Sequence, residues 1–221
     1  MSFSFFTDRL GGYSQGDFSS LNVALHVDDD PAVVMRNREV IADSYGATVY
    51  MNQVHGDAVE IISQHADVSP TCDALVTAVP GITLAVMTAD CIPLLLSSSS
   101  VVAAVHVGRR GLLNGVANKT VKVMRDLGAT SVSALIGPSI CGTCYEVDEN
   151  TFNEIVAEHP LCASRTSQGT HSLDLVAGLV AELEKLSITS TIDSRCTKED
   201  PNLFSYRKSQ RTGRQAGLIR L

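Results

Sequence analysis

What this sequence lacks narrows its function before any motif is considered. Basic residues are the minority, with 17 Lys and Arg against 24 Asp and Glu, a formal net charge of −7 and a pI near 5.3. A chain without a global basic field is not a general nucleic-acid binder, so no nucleic-acid partner is expected, although a local basic pocket can still hold a small anion. Long apolar runs are missing too. The longest stretch, 82–107, is interrupted by Asp90, Pro93, four serines and His106, and no membrane span is expected from it. The opening residues, Met-Ser-Phe-Ser-Phe-Phe before Asp8 and Arg9, lack the basic and extended apolar regions of a secretory signal, so the expected location is the cytoplasm. No repeat, low-complexity tract or linker divides the chain, and residues 1–221 are expected to form one domain.

What is present reads as strands clustered in the middle with helices around them. A Gly-, Ser- and Asp-rich loop over 7–20 precedes a helix that Asp30 caps and Pro31 opens, running to about residue 46. Short β-branched runs follow over 48–54, 58–63, 74–77, 82–87, 93–97 and 101–107. The last two, joined by residues 98–100, are apolar enough to form a hairpin buried on both faces. Beyond them the pattern gives a helix over 112–127, a strand over 132–136, helices over 148–158 and 173–186, and a strand over 188–193. The expected class is α+β, a single domain with mixed central β-sheets flanked by helices.

Three residues end apolar runs and are followed within two positions by Gly or Pro: His55, Cys91 and His106. Strand ends hold side chains rigidly, and two imidazoles with one thiolate make a three-ligand zinc site with an open fourth position. The plainer alternative is two hydrogen-bonded core histidines and an apolar cysteine, because ligands scattered over about fifty residues are far less specific than a local His-Glu-x-x-His signature. Context favours the metal. Ala104 and His106 share a strand face, where a buried imidazole demands a partner. Asp90 opposes a thiolate at Cys91 unless a cation offsets the charge. Of the other cysteines, Cys72 and Cys162 read as apolar packing. Cys141 and Cys144 form a Cys-x-x-Cys pair, but no second such pair completes a structural metal site, so packing is the preferred reading there too.

Nearly the whole chain resembles the laccase-domain, YfiH-like or polyphenol oxidoreductase family, whose bacterial members include purine nucleoside phosphorylases also described as peptidoglycan editing factors. The resemblance rests on residues 6–14, Leu21-Asn22-Val23, Asn37-Arg38, Asn52-Gln53-Val54-His55-Gly56, 73–77 and Thr88-Ala89-Asp90-Cys91-Ile92-Pro93. It continues in Ala104-Val105-His106-Val107-Gly108, Gly137-Pro138, Cys144-Tyr145-Glu146-Val147 and Phe204-Ser205-Tyr206-Arg207. It implies a YfiH-like fold and a catalytic Zn2+ on His55, Cys91 and His106. It also implies phosphorolysis of adenosine, inosine, guanosine and methylthioadenosine, and deamination of adenosine. Purine nucleosides and inorganic phosphate are then the expected partners, in a monomer or small homo-oligomer. The family usually carries Gly-Trp-Arg-Gly where this chain has Gly108-Arg109-Arg110-Gly111, so Arg109 replaces an aromatic; Ser139 stands where many relatives have cysteine.

On that reading Arg110, just past His106 at a turn opening a helix, is the first candidate for a phosphate clamp. Arg9 and Arg38 are further candidates, Asn22 belongs to a matching motif, and Asp90 or Asp73 is the candidate proton carrier. Two other chemistries fit the same residues. Copper-dependent phenol oxidation could use the histidines, Cys91 and Met87, but His26, His65, His159 and His171 are isolated in the sequence, which leaves no second copper cluster. A cysteine hydrolase acting on an amide in a cell-wall precursor could use Cys91 as nucleophile and His106 as base.

Overall fold

The computed structural model of the chain describes residues 2–65 and 68–221. Its strands are β1 (Phe3–Phe6), β2 (Thr48–Val49), β3 (Val59–Ile61), β4 (Ala74–Thr77), β5 (Thr83–Thr88), β6 (Ile92–Ser97), β7 (Val102–Val107), β8 (Ser133–Ile136), β9 (Ala163–Arg165), β10 (His171–Leu173), β11 (Thr189–Ile192) and β12 (Gln215–Arg220). Its helices are α1 (Pro31–Tyr45), α2 (Arg109–Leu113), α3 (Val116–Asp126), α4 (Glu149–Glu158) and α5 (Leu175–Lys185). One mixed sheet has the order β1-β12-β5-β2 and a second the order β11-β8-β6-β7-β4-β3.

Alternation along the central strands decides how these elements stack, because successive side chains point to opposite faces. In β6, Leu94 and Leu96 join the core beneath the helices, whereas Leu95 joins the core between the two sheets. β7 does the same, with Ala103, Val105 and Val107 toward the helices and Val102 and Ala104 toward the other sheet. The outer face of the first sheet, with Ala85, Met87, Ala216 and Leu218, is covered by Ile41 of α1 and by Leu21, Val23 and Ala24. The result is an α/sheet/sheet/α stack with mixed sheets, an α+β fold. His106, two residues past Ala104, therefore faces the space between the sheets at their edge.

The expected hairpin is present: β6 and β7 pair antiparallel from Ile92↔Val107 to Ser97↔Val102, and both are buried almost throughout. Asp30 caps α1 by accepting from the Ala32 amide, with Pro31 in the first turn. Asp148 and Asp174 cap α4 and α5 the same way.

The structure corrects several expectations. The helix over 112–127 is two helices, divided where Gly115 adopts φ 69°. The strand over 48–54 is only two residues long, because the Gln53 side chain replaces the ladder: its amide donates to Met87 O and its carbonyl accepts from Met87 N. The strand over 58–63 shortens to β3. β1, β9, β10 and β12 were not expected; β12 lies between β1 and β5 in the first sheet.

Candidate active site

Three loops at the sheet edges bring the three leading residues together. His106 is the penultimate residue of β7, Cys91 immediately precedes β6, and His55 lies in the bend beyond β2. Their ligand-capable atoms all lie within 4.8 Å of one another. Cys91 Sγ is 4.0 Å from His55 Nε2, and the two imidazoles meet edge to face with centroids 4.7 Å apart. His106 is buried, Cys91 half-buried and His55 exposed, so the cluster is closed behind and open in front.

Asp73, fully buried at the start of β4, sets this geometry. Its carboxylate accepts from the backbone amides of Val54, His55 and Gly56 and from His106 Nδ1 at 2.8 Å. Burial alone would raise its pKa, but the His106 and amide hydrogen bonds outweigh that and hold it below the ordinary carboxylate range. An ionised Asp73 can only accept, so the His106 proton resides on Nδ1 and Nε2 is left for the cluster. This is the carboxylate–histidine arrangement that supports metal ligands. The Asp73 contacts also offset local strain. His55 has φ 59°, a left-handed conformation costing about 1–3 kcal/mol. Each amide bond to a charged acceptor contributes roughly 1.5–3 kcal/mol, so three of them prevail.

Burial disfavours a thiolate at Cys91, yet the neighbouring His106 charge and hydrogen bonds from both histidines bring its pKa down to about 6. Burial likewise disfavours a charged His106, while Cys91 and Asp73 raise it to about 9. The sulfur is thus held as thiolate against an imidazolium, so a cation entering the cluster would find the thiolate ready and would take the place of the proton on His106 Nε2, while Asp73 keeps the one on Nδ1. Gly108 completes the fit. Its backbone is ordinary extended chain, φ −88° and ψ 179°, but a Cβ there would sit 3.2 Å from both Cys91 Sγ and His55 Cδ2. The residues therefore suit a divalent ion with two nitrogen ligands and one sulfur ligand.

A cavity of about 490 Å³ opens in front of the cluster, within the range that holds a small-molecule ligand. Arg109, Arg110, Arg207 and Arg214 share its wall with Tyr145, Tyr206 and His26. Arg110 is exposed and makes no ion pair among the described residues, whereas Arg109 pairs with Glu154 at 3.0 Å. Because α2 is only five residues long, its dipole adds little and any anion there depends on the guanidinium groups.

The other sequence candidates lie elsewhere or are already engaged. Arg9 donates to Ser19 O and stacks on Phe204, and Arg38 donates to Val23 O and stacks on Tyr50; neither lines the cavity. Asn22 is fully buried and accepts from the Arg214 amide, so it positions that arginine rather than touching the cavity. Asp90 lines the cavity with φ 104°, but its oxygens accept from Thr197 Oγ1 and the Arg207 amide. Sequence reasoning gave no role to Tyr145, Tyr206 and Arg207, although they stand in motifs that it singled out. It set His26 aside as isolated and passed over Arg214, for which no local signal exists.

A family model described as multi-copper polyphenol oxidoreductase laccase matches residues 3–221. The chain belongs to that family. Within this laccase family, a protein of Streptomyces coelicolor named purine nucleoside phosphorylase is 44% identical over 225 residues, spanning 97% of this chain and 93% of its own length. A Corynebacterium glutamicum protein of the same name is 43% identical over 227 residues, at 97% and 92%. Among solved structures, Neisseria meningitidis protein NMB0706 superimposes with a TM-score of 0.91 at 33% identity, covering 100% of this chain and 94% of that one. YlmD from Geobacillus stearothermophilus gives 0.87 at 31%, covering 99% and 91%.

Proposed function

We propose that this chain is a zinc-dependent purine nucleoside phosphorylase that also cleaves methylthioadenosine and deaminates adenosine at the same site. The observation that carries the reading is a three-ligand cluster opening directly into a cavity walled by arginines and tyrosines. The naming of the relatives supports it. His55, Cys91 and His106 would hold the ion, and Asp73 would fix the His106 tautomer. When bound, the ion polarises an oxygen of phosphate or water and makes it a better nucleophile.

The chain's own residues supply the rest. Arg110 and Arg214 hold phosphate by charge-assisted hydrogen bonds. Tyr145 and Tyr206 offer ring faces to the purine. In phosphorolysis an oxygen of hydrogen phosphate bonds to the ribose anomeric carbon, the glycosidic C–N bond breaks with its electron pair passing to the purine, and a purine nitrogen takes up the proton that the phosphate hydroxyl gives up. In deamination the water oxygen bonds to the purine carbon bearing the amino group, one water proton passes to that group and the other to the adjacent ring nitrogen, and the C–N bond breaks to release ammonia. Asp73 and Asp90 are committed to other partners, so His26 is the group assigned to proton transfer. Burial, then Arg214 and Arg38, lower its pKa and keep it neutral near pH 7, able to accept a proton.

The Cys91 thiolate beside His106 and Asp73 also matches a cysteine hydrolase. That reading leaves His55 and the arginines without a task. Copper oxidation lacks ligands: the described residues contain two metal-capable groups, and only the one at the cavity includes histidine. Incubation with adenosine, with and without phosphate, followed by separation of adenine, inosine and hypoxanthine tests the proposal. Adenine should appear only with phosphate, inosine without it, and a chelator should stop both until zinc is restored. No purine product in either arm, with stoichiometric alkylation of Cys91 in the metal-replete protein, would overturn the proposal and favour the hydrolase instead.

A further inference from the structure

We propose that Cys141, Cys144, Cys196 and Glu199 form a second metal site, a closed zinc centre with three thiolates and one carboxylate. The four side chains come from two turns, each with ligands three residues apart, Cys-x-x-Cys and Cys-x-x-Glu. Their ligand atoms all lie within 4.8 Å of one another. Around a tetrahedral zinc with Zn–S near 2.3 Å, sulfurs stand about 3.8 Å apart, so small side-chain adjustments suffice. The turns are already docked: Thr197 N donates to Ser139 O, and Ser139 and Cys196 form a parallel bridge. The Cys141 amide donates to Cys196 Sγ at 3.3 Å, the kind of contact that stabilises a coordinating sulfur, and Cys144 Sγ lies 3.4 Å from a Glu199 oxygen.

The ligand set defines the ion. Three soft sulfurs and one oxygen without a free position suit a structural divalent ion of the zinc type, and each thiol gives up its proton to solvent on binding. The centre ties the turn that carries Tyr145 to the turn beside Thr197, whose hydroxyl holds Asp90. It therefore pins the cavity wall from behind while taking no part in the chemistry.

Zinc content of the His55→Ala/Cys91→Ala double variant, purified under reducing conditions with zinc present, tests this without any activity assay. About one equivalent per chain should remain, against about two in the wild type, and cobalt(II) loading should give intense thiolate-to-metal charge-transfer absorption. In the same background Cys144→Ser should abolish the remainder. Glu199→Gln, at the exposed corner, should keep the circular-dichroism spectrum and lose zinc to a chelator at least about tenfold faster. A double variant without zinc, or Cys144→Ser and Glu199→Gln variants that retain it unchanged, would overturn the proposal. A wild type that also holds about one equivalent, unaffected by His55→Ala/Cys91→Ala, would leave this centre standing and remove the active-site ion instead.

Discussion

The two clusters of metal-capable side chains differ in ligand number and in what lies in front of them. The His55, Cys91 and His106 cluster has three donors, a buried carboxylate behind it and a cavity ahead. The Cys141, Cys144, Cys196 and Glu199 cluster has four donors from two interlocked turns and no part in that cavity wall. Three donors leave room for a reacting atom, whereas four enclose the ion. On the readings proposed above, the difference teaches that a single extra donor would divide similar side chains between catalysis and scaffolding.

The largest effect should come from the open cluster. His55→Ala or Cys91→Ala should each lower kcat/KM for phosphorolysis and deamination by about a thousandfold or more, near 4 kcal/mol of transition-state stabilisation, with little change in Tm. Asp73→Asn should cost roughly 10–100-fold in zinc affinity by competition titration, since outer partners of a ligating histidine matter on that scale. Arg110→Ala should raise KM for phosphate about tenfold and leave kcat less affected, in line with one charge-assisted bond. The closed cluster should show the reverse pattern: Cys144→Ser lowers Tm in a thermal melt while kcat stays within about threefold. Equal losses of stability in both clusters, or equal losses of activity, would erase the distinction.

A carboxylate outside both clusters supplies the baseline and the smallest effect. Glu182 on α5 is buried, one oxygen has no partner, and burial, only partly countered by Lys185, raises its pKa to about 7. The folded chain then binds more protons than the unfolded one between the ordinary glutamate value and about pH 7, so stability falls as pH rises through that window. Glu182→Gln should be more stable than the wild type at pH 8, by an amount of order 1 kcal/mol, and nearly equal to it at pH 4 in denaturant titrations.

The sequence made parts of this legible because their signals are local. Alternation exposed the β6–β7 hairpin, and the Asp30-Pro31 pair marked the start of α1. The open cluster was legible because each of its three side chains ends an apolar run. Cys196 and Glu199 were not, since a search for paired Cys-x-x-Cys passes over a turn whose last ligand is a carboxylate. β1 and β12 escaped because they are terminal strands whose pairing joins opposite ends of the sequence, a long-range contact that no local signal marks. Arg9 and Arg38 carried the right charge, but alternative acceptors and aromatic faces hold them away from the cavity. Which arginine reaches a pocket depends on long-range packing that residue type does not encode.

Gly108 carries a consequence for ion selectivity. Its backbone accepts alanine without distortion, and the added methyl would press on sulfur and imidazole alike. That position is a built-in caliper: one added carbon would narrow the space between sulfur and imidazole, so Gly108→Ala should weaken binding of larger divalent ions more than smaller ones, with the three candidate ligands themselves unaltered.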